Sequence, residues 1–142
     1  RRMNRVFLDT GYLIALEASD DQHHDEAVRH WRQSVPEISS IVTTTYVFDE
    51  GVTFFNSRGH HGKAVEMGMR LLKSPRVEAV HVTEELFGAG WRRFQNRPDK
   101  RYSLTDCISF IVMERRGLDK ALAFDQHFEQ AGYQTLPARR ET

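Results

Sequence analysis

Four acidic residues stand where acids do chemistry. Asp9 follows the apolar run Val6-Phe7-Leu8, Glu50 lies early in a predicted helix, Asp106 falls in the first turn of another, and Asp125 follows Ala121-Leu122-Ala123-Phe124. Each also has a plain structural reading, since an acid near a helix N-terminus complements the macrodipole and an Asp after a strand caps or turns the chain. The joint reading is sharper. Carboxylates gathered within a few ångströms raise one another's pKa unless a cation is present. Hard divalent ions take oxygen ligands, retain waters and leave positions for phosphate oxygens. Metal-assisted phosphodiester hydrolysis is the chemistry such a set would perform.

Charge distribution supports that direction. The 142 residues carry 20 Lys+Arg against 20 Asp+Glu, so the formal net charge is zero, but the balance is not uniform. Between Val6 and Val28 lie Asp9, Glu17, Asp20, Asp21, Asp25 and Glu26 with no Lys or Arg, while Arg92, Arg93, Arg97, Lys100 and Arg101 face only Asp99 between Trp91 and Arg101. Blocks of this kind are ordinarily solvated faces. Taken together they offer one region for a cation and another, just before Asp106, for a polyanion such as RNA.

The elements that must position these residues alternate. Val6–Leu8 and Ala121–Phe124 are apolar on successive positions, as in strands covered on both faces of a parallel sheet. Residues 38–43 read as a further strand, and 77–82 and 133–136, polar at intervals, read as edge strands. Helices are predicted over 22–34 with Asp20 or Asp21 as N-cap, from Thr44 or Thr45 through Asn56, over 62–73 with a stripe of Val65, Met69 and Leu72, over 83–95, and from Ser103 or Thr105 through Arg116 with Gly117 ending it. Trp91 and Phe94 are expected to pack in the core. No repeat or linker divides the chain, so a single domain spanning residues 3–138 is expected. Strand–helix alternation implies an α/β fold, a three-layer α/β/α sandwich on a central parallel sheet. With the two buried strands central and the edge-like ones outside, the strand order is 3-2-1-4-5, and the switch point between strands one and four falls where Asp9 and Asp125 sit.

Other chemistries are weakly supported. His23-His24 and His60-His61 lack the company of Cys-x-x-Cys or His-Glu-x-x-His. Cys107, the single cysteine, lies among apolar residues and reads as packing; it cannot form an internal disulfide, which favours a reducing cytoplasm. Serine-hydrolase, dinucleotide and Walker motifs are missing. Apolar runs are too short to span a membrane, and Arg1-Arg2 read as additions before a natural Met3 without a signal peptide.

The flanks of the four acids resemble the PIN-domain nucleases. Phe7-Leu8-Asp9-Thr10 resembles that family's opening motif, Thr44-Thr45-Tyr46-Val47-Phe48-Asp49-Glu50 its second, Ser103-Leu104-Thr105-Asp106-Cys107-Ile108-Ser109-Phe110 its third, and Ala123-Phe124-Asp125-Gln126-His127-Phe128 with Gly132 its fourth. The compact length is similar to VapC toxins of type II toxin–antitoxin systems. The resemblance implies an Mg2+-dependent endoribonuclease, Mn2+ substituting, with Asp9, Glu50, Asp106 and Asp125 both catalytic and metal-holding. Thr10 either orients the first acid or simply starts a helix. Glu50 is chosen over Asp49, whose side chain points about 100° away on a helix. Ala123 departs from the Thr or Ser often found two positions before the last acid. Arg92, Arg93, Arg97, Lys100 and Arg101 are the candidate RNA-binding wall. Implied partners are an RNA substrate, a cognate VapB-like antitoxin and a second copy of the chain, with no membrane. The apolar breadth of the helix around Asp106 fits either a central helix or an interface. Two other functions stay open: a PIN nuclease of RNA processing without an antitoxin, and a non-catalytic RNA- or protein-binding module.

Overall fold

A computed structural model describes residues 4–138. Arg1, Arg2 and Met3, including the expected natural start, lie outside the described residues. The sheet has five parallel strands, β1 (Asn4–Leu8), β2 (Ile38–Thr44), β3 (Val77–Val80), β4 (Lys120–Leu122) and β5 (Gln134–Leu136), in the expected order β3-β2-β1-β4-β5. Among the described residues seven α-helices flank it: α1 (Thr10–Glu17), α2 (His24–Ser34), α3 (Thr45–Ser57), α4 (His61–Lys73), α5 (Glu84–Asn96), α6 (Leu104–Arg116) and α7 (Gln126–Gln130).

The apolar runs are explained by two cores. Val6 and Leu8 enter the core under α1, α3 and α4, whereas Phe7 enters the one under α5, α6 and α7. Ile41 and Val42 divide the same way, as do Leu122 and Ala121. Period-two alternation on a strand buried on both faces therefore leaves no polar position. Burying each of Phe7, Val42 and Leu122, at most 1% exposed, contributes about 1.5–3 kcal/mol.

Helix starts follow the sequence closely. Thr44, Thr83 and Ser103 each accept a backbone N–H through the side chain, and Gly117 closes α6 in the left-handed region at φ 65°. At α2 the structure differs from the expectation: His23 occupies the N-cap position, and Asp21 instead accepts from the His23 amide at 2.8 Å in the preceding turn. Of two further helices, α1 is signalled in the sequence only by Thr10 as a helix start, and α7 by no pattern. Tyr12-Leu13-Ile14-Ala15-Leu16 is apolar on all sides because α1 is covered by neighbours, so no polar face marks its period. Five residues of α7 are too few to show a period.

Side-chain exposure corrects two expectations. Val65, Met69 and Leu72 face outward, and α4 packs through Ala64, Met67 and Gly68. Trp91 and Phe94 are likewise exposed, stacked on each other at 5.6 Å, because α5 turns its Leu86, Ala89 and Gly90 face to α6. A Cβ on Gly90 would clash with Ile108 Cγ1 and press on the Ile108 backbone, so the small residue sets that close approach. Every residue of α6 from Asp106 to Met113 is buried, which makes it a central helix. Among the described residues no helix is long and apolar enough to cross a membrane.

Candidate active site

All five strands end at the same edge, and the acids collect there. Parallel pairing of Phe7 with Ala121 and Leu8 with Leu122 sets the ends of β1 and β4 side by side, and the Asp9 amide extends the ladder to the Leu122 carbonyl at 3.1 Å. Asp9 then starts α1, and Asp125 starts α7, where it accepts from the His127 amide at 2.8 Å. Asp106 reaches the same edge from the other layer. It is the third residue of α6, where its Oδ2 accepts from the Ser103 amide at 3.1 Å while its own amide donates to Ser103 Oγ at 2.9 Å. That reciprocal cap pins the carboxylate to the helix start.

Burial gives the cluster its electrostatics. Asp9 and Asp106 are 6% and 7% exposed. Burial pushes the Asp9 carboxyl up to about 7, with the charges of Asp106 and Asp125 adding to the rise and the Thr10 and Gly11 amides offsetting part of it. Such an acid is costly as an uncompensated anion and is relieved by a cation.

Glu50 comes from α3 and is held by two helices at once. Thr10 on α1 donates to its Oε1 at 2.6 Å, and Thr105 on α6 donates to its Oε2 at 3.1 Å. Thr10 both starts α1 and orients an acid, but the acid is Glu50 rather than Asp9. At the neighbouring Gly51 a Cβ would lie 2.9 Å from Leu13 Cδ2, so a larger residue there requires the Leu13 side chain to shift. Asp49 points away from this contact and accepts from Thr53 at 3.3 Å.

His127 belongs to the site, although its place in the sequence assigns it no role. Its Nδ1 lies 2.9 Å from Asp106 Oδ2 and 3.3 Å from Asp125 Oδ1, and one ligand atom from each of these three residues falls within 4.8 Å of the others. The signal was present as Asp-x-His after a buried strand, but the link to Asp106 spans 21 residues. Ala123 is buried at the end of β4 and supplies no hydroxyl.

The charge blocks contribute less than their sequence suggests. Of the acidic block Asp9 enters the site, whereas Glu17 is taken up by Lys63 at 2.7 Å and Arg70 at 2.8 Å. Of the basic block, Arg93 is engaged by Glu114 at 2.8 Å. Arg92, Arg97 and Arg101 are exposed and Lys100 half-buried, with Arg97, Lys100 and Arg101 in the short connection that leads into the Ser103–Asp106 cap. His24 bonds the Ala15 carbonyl and His61 bonds Asn56, and burial pushes the Cys107 thiol up to about 11, as befits a packing residue.

Known proteins share this fold. The family model for the PIN domain matches residues 6–132. Two curated relatives, each described as the 23S rRNA-specific endonuclease VapC20, from Mycobacterium tuberculosis strains CDC 1551 / Oshkosh and ATCC 25618 / H37Rv, are 34% identical over 129 residues, covering 90% of this chain and 95% of theirs. The crystal structure of Mycobacterium tuberculosis VapC20, described as a sarcin-ricin loop cleaving toxin, superposes with a TM-score of 0.79 at 33% identity over 90% of this chain and 95% of that one. With its sheet order, its strand-end acids and this likeness along nearly its whole length, the chain belongs to the PIN-domain family.

Proposed function

We propose that the protein is a metal-dependent endoribonuclease, the toxin of a VapBC-type toxin–antitoxin pair, that hydrolyses RNA phosphodiester bonds. The observation that carries the reading is the convergence of Asp9, Asp106 and Asp125 at one sheet edge, with Asp9 pushed to about 7 by burial and by the other two. The relatives' descriptions as an rRNA endonuclease and a toxin point to RNA as the substrate class and to an antitoxin as partner.

The donor set fits a hard divalent cation, Mg2+ or Mn2+: Asp106, Asp125 and His127 each offer a ligand atom within 4.8 Å of the others, and Asp9 lies close enough for the charges of Asp106 and Asp125 to raise its pKa. When bound, such an ion supplies neutralisation of phosphate oxygens and a lowered pKa for water. The chain's own residues do the positioning. Asp9, Asp106 and Asp125 would hold the ion at the switch point. Glu50, with each oxygen already accepting one threonine hydroxyl, keeps lone pairs for an attacking water and orients it. Arg97, Lys100 and Arg101, with Arg92, track the RNA backbone on the α6 side. The exposed rings of Phe87, Trp91 and Phe94 support self-association through α5.

The test is cleavage of an RNA pool with Mg2+ or Mn2+. Expected are cleavage that stops on adding EDTA, and loss of cleavage in Asp9→Asn and Asp106→Asn with the fold retained by circular dichroism. Wild-type turnover in both variants contradicts the reading.

A further inference from the structure

A column of aromatic rings stands beside the acids. Tyr12, in the first turn of α1, stacks on Phe124 at 5.6 Å and 14°, and Phe124 stacks on His23 at 4.4 Å and 4°. The column is braced at its inner end, where Tyr12 Oη meets His30 Nδ1 at 2.8 Å. Phe124 immediately precedes Asp125, and Tyr12 lies three residues after Asp9, so the rings are tied to the backbone of two of the acids. At its outer end His23 opens onto a cleft of about 590 Å³ lined by His23, Glu26, Arg29, Phe124, Thr135 and Pro137. The His23 side chain is 41% exposed.

We infer that this cleft is a nucleobase subsite: a base of the RNA next to the scissile phosphate stacks on His23 and continues the column. Three features select a base over an apolar peptide side chain. The existing rings are nearly parallel, which is the arrangement a further flat ring extends. The rim offers the Glu26 carboxylate as acceptor and the Arg29 guanidinium as donor, the groups that read base edges. The volume lies within the range of small-ligand clefts. His23 is thereby a positioning residue for the proposed cleavage, and the inference rests on RNA being the substrate.

The experiment measures binding of a short single-stranded RNA carrying 2-aminopurine, in EDTA so that no cleavage intervenes, by the quenching of its fluorescence on stacking. Cleavage of the same RNA without the probe base is followed in Mg2+. Compared are the wild type, His23→Ala and His23→Phe, with thermal melting to confirm folding. Expected is quenching in wild type and His23→Phe, and in His23→Ala a loss of quenching with affinity weakened roughly tenfold and a raised KM at little-changed kcat. An abasic nucleotide at the quenched position should cost wild type the same factor and His23→Ala almost nothing. Unchanged quenching and KM in His23→Ala overturns the subsite, as does a His23→Ala defect confined to binding of a peptide partner. Quenching without any cleavage by wild type leaves the subsite standing and rejects the nuclease reading instead.

Discussion

His127 on α7 places its Nδ1 2.9 Å from Oδ2 of Asp106 on α6. The contact joins two elements that meet only through the tertiary fold, and with Asp125 Oδ1 3.3 Å from the same nitrogen it draws two carboxylates together on one imidazole. Removing the ring should let the like charges separate and loosen the proposed cation site. His127→Ala is expected to weaken Mn2+ binding by about 10–100-fold, the usual range for groups that orient metal ligands. Titration calorimetry with Mn2+ alone reads this directly; wild-type affinity would remove His127 from the site.

The two hydroxyls on Glu50 give a second expectation. Thr10 and Thr105 bond opposite oxygens of one carboxylate at 2.6 and 3.1 Å, so each alone partly fixes it. Hydrogen bonds to a charged group contribute about 1.5–3 kcal/mol. Thr10→Val and Thr105→Val should each lower kcat by roughly tenfold with little change in KM, and the double variant should lose less than the product of the two, because both act through the same group. Single-turnover cleavage rates decide it, full additivity being the contrary outcome.

Glu17 provides a pH dependence that does not involve the site. Burial opposes its ionisation, but hydrogen bonds from Arg70 and Lys63, with their charges, outweigh it and hold the carboxyl below its ordinary value of 4.5. A carboxyl depressed in the folded state contributes stability that is present above the unfolded value and lost as pH falls through the folded one. Glu17→Gln should therefore melt lower than wild type at pH 7, by about 1–2 kcal/mol given that both cations are partly solvated. The gap should narrow as pH falls below 4.5 through the depressed folded value. A difference between the two melting curves that stays constant with pH contradicts this.

Charge reversal in the connection before α6 tests the RNA wall. Arg97→Glu and Arg101→Glu should weaken RNA binding and flatten the dependence of log Kd on log salt, by about 0.7 for each phosphate of a single strand that is no longer neutralised. Arg93→Glu, whose native partner is Glu114, should change the salt slope least. Equal slopes for wild type and the Arg97→Glu/Arg101→Glu double variant, measured by fluorescence anisotropy, reject the wall.

Much of the architecture is local information. Val6-Phe7-Leu8 and Ala121-Leu122 read as strands covered on both faces, Thr44, Thr83 and Ser103 mark helix starts by bonding an amide three residues on, and Gly117 ends α6 because it tolerates positive φ. Strand–helix alternation then dictated parallel pairing, and with it the common edge for Asp9 and Asp125. What lay outside any local pattern was decided by contacts between distant segments. Thr10 reaches Glu50 across 40 residues and Thr105 across 55, so neither spacing could reveal the partner. Exposure of Trp91, Phe94 and the Val65–Met69–Leu72 stripe follows from which helix face is small enough for close packing at Gly90, Ala64 and Gly68. Periodicity reports that a helix has an apolar face; only the tertiary structure decides which face meets a neighbour and which carboxylates share a space.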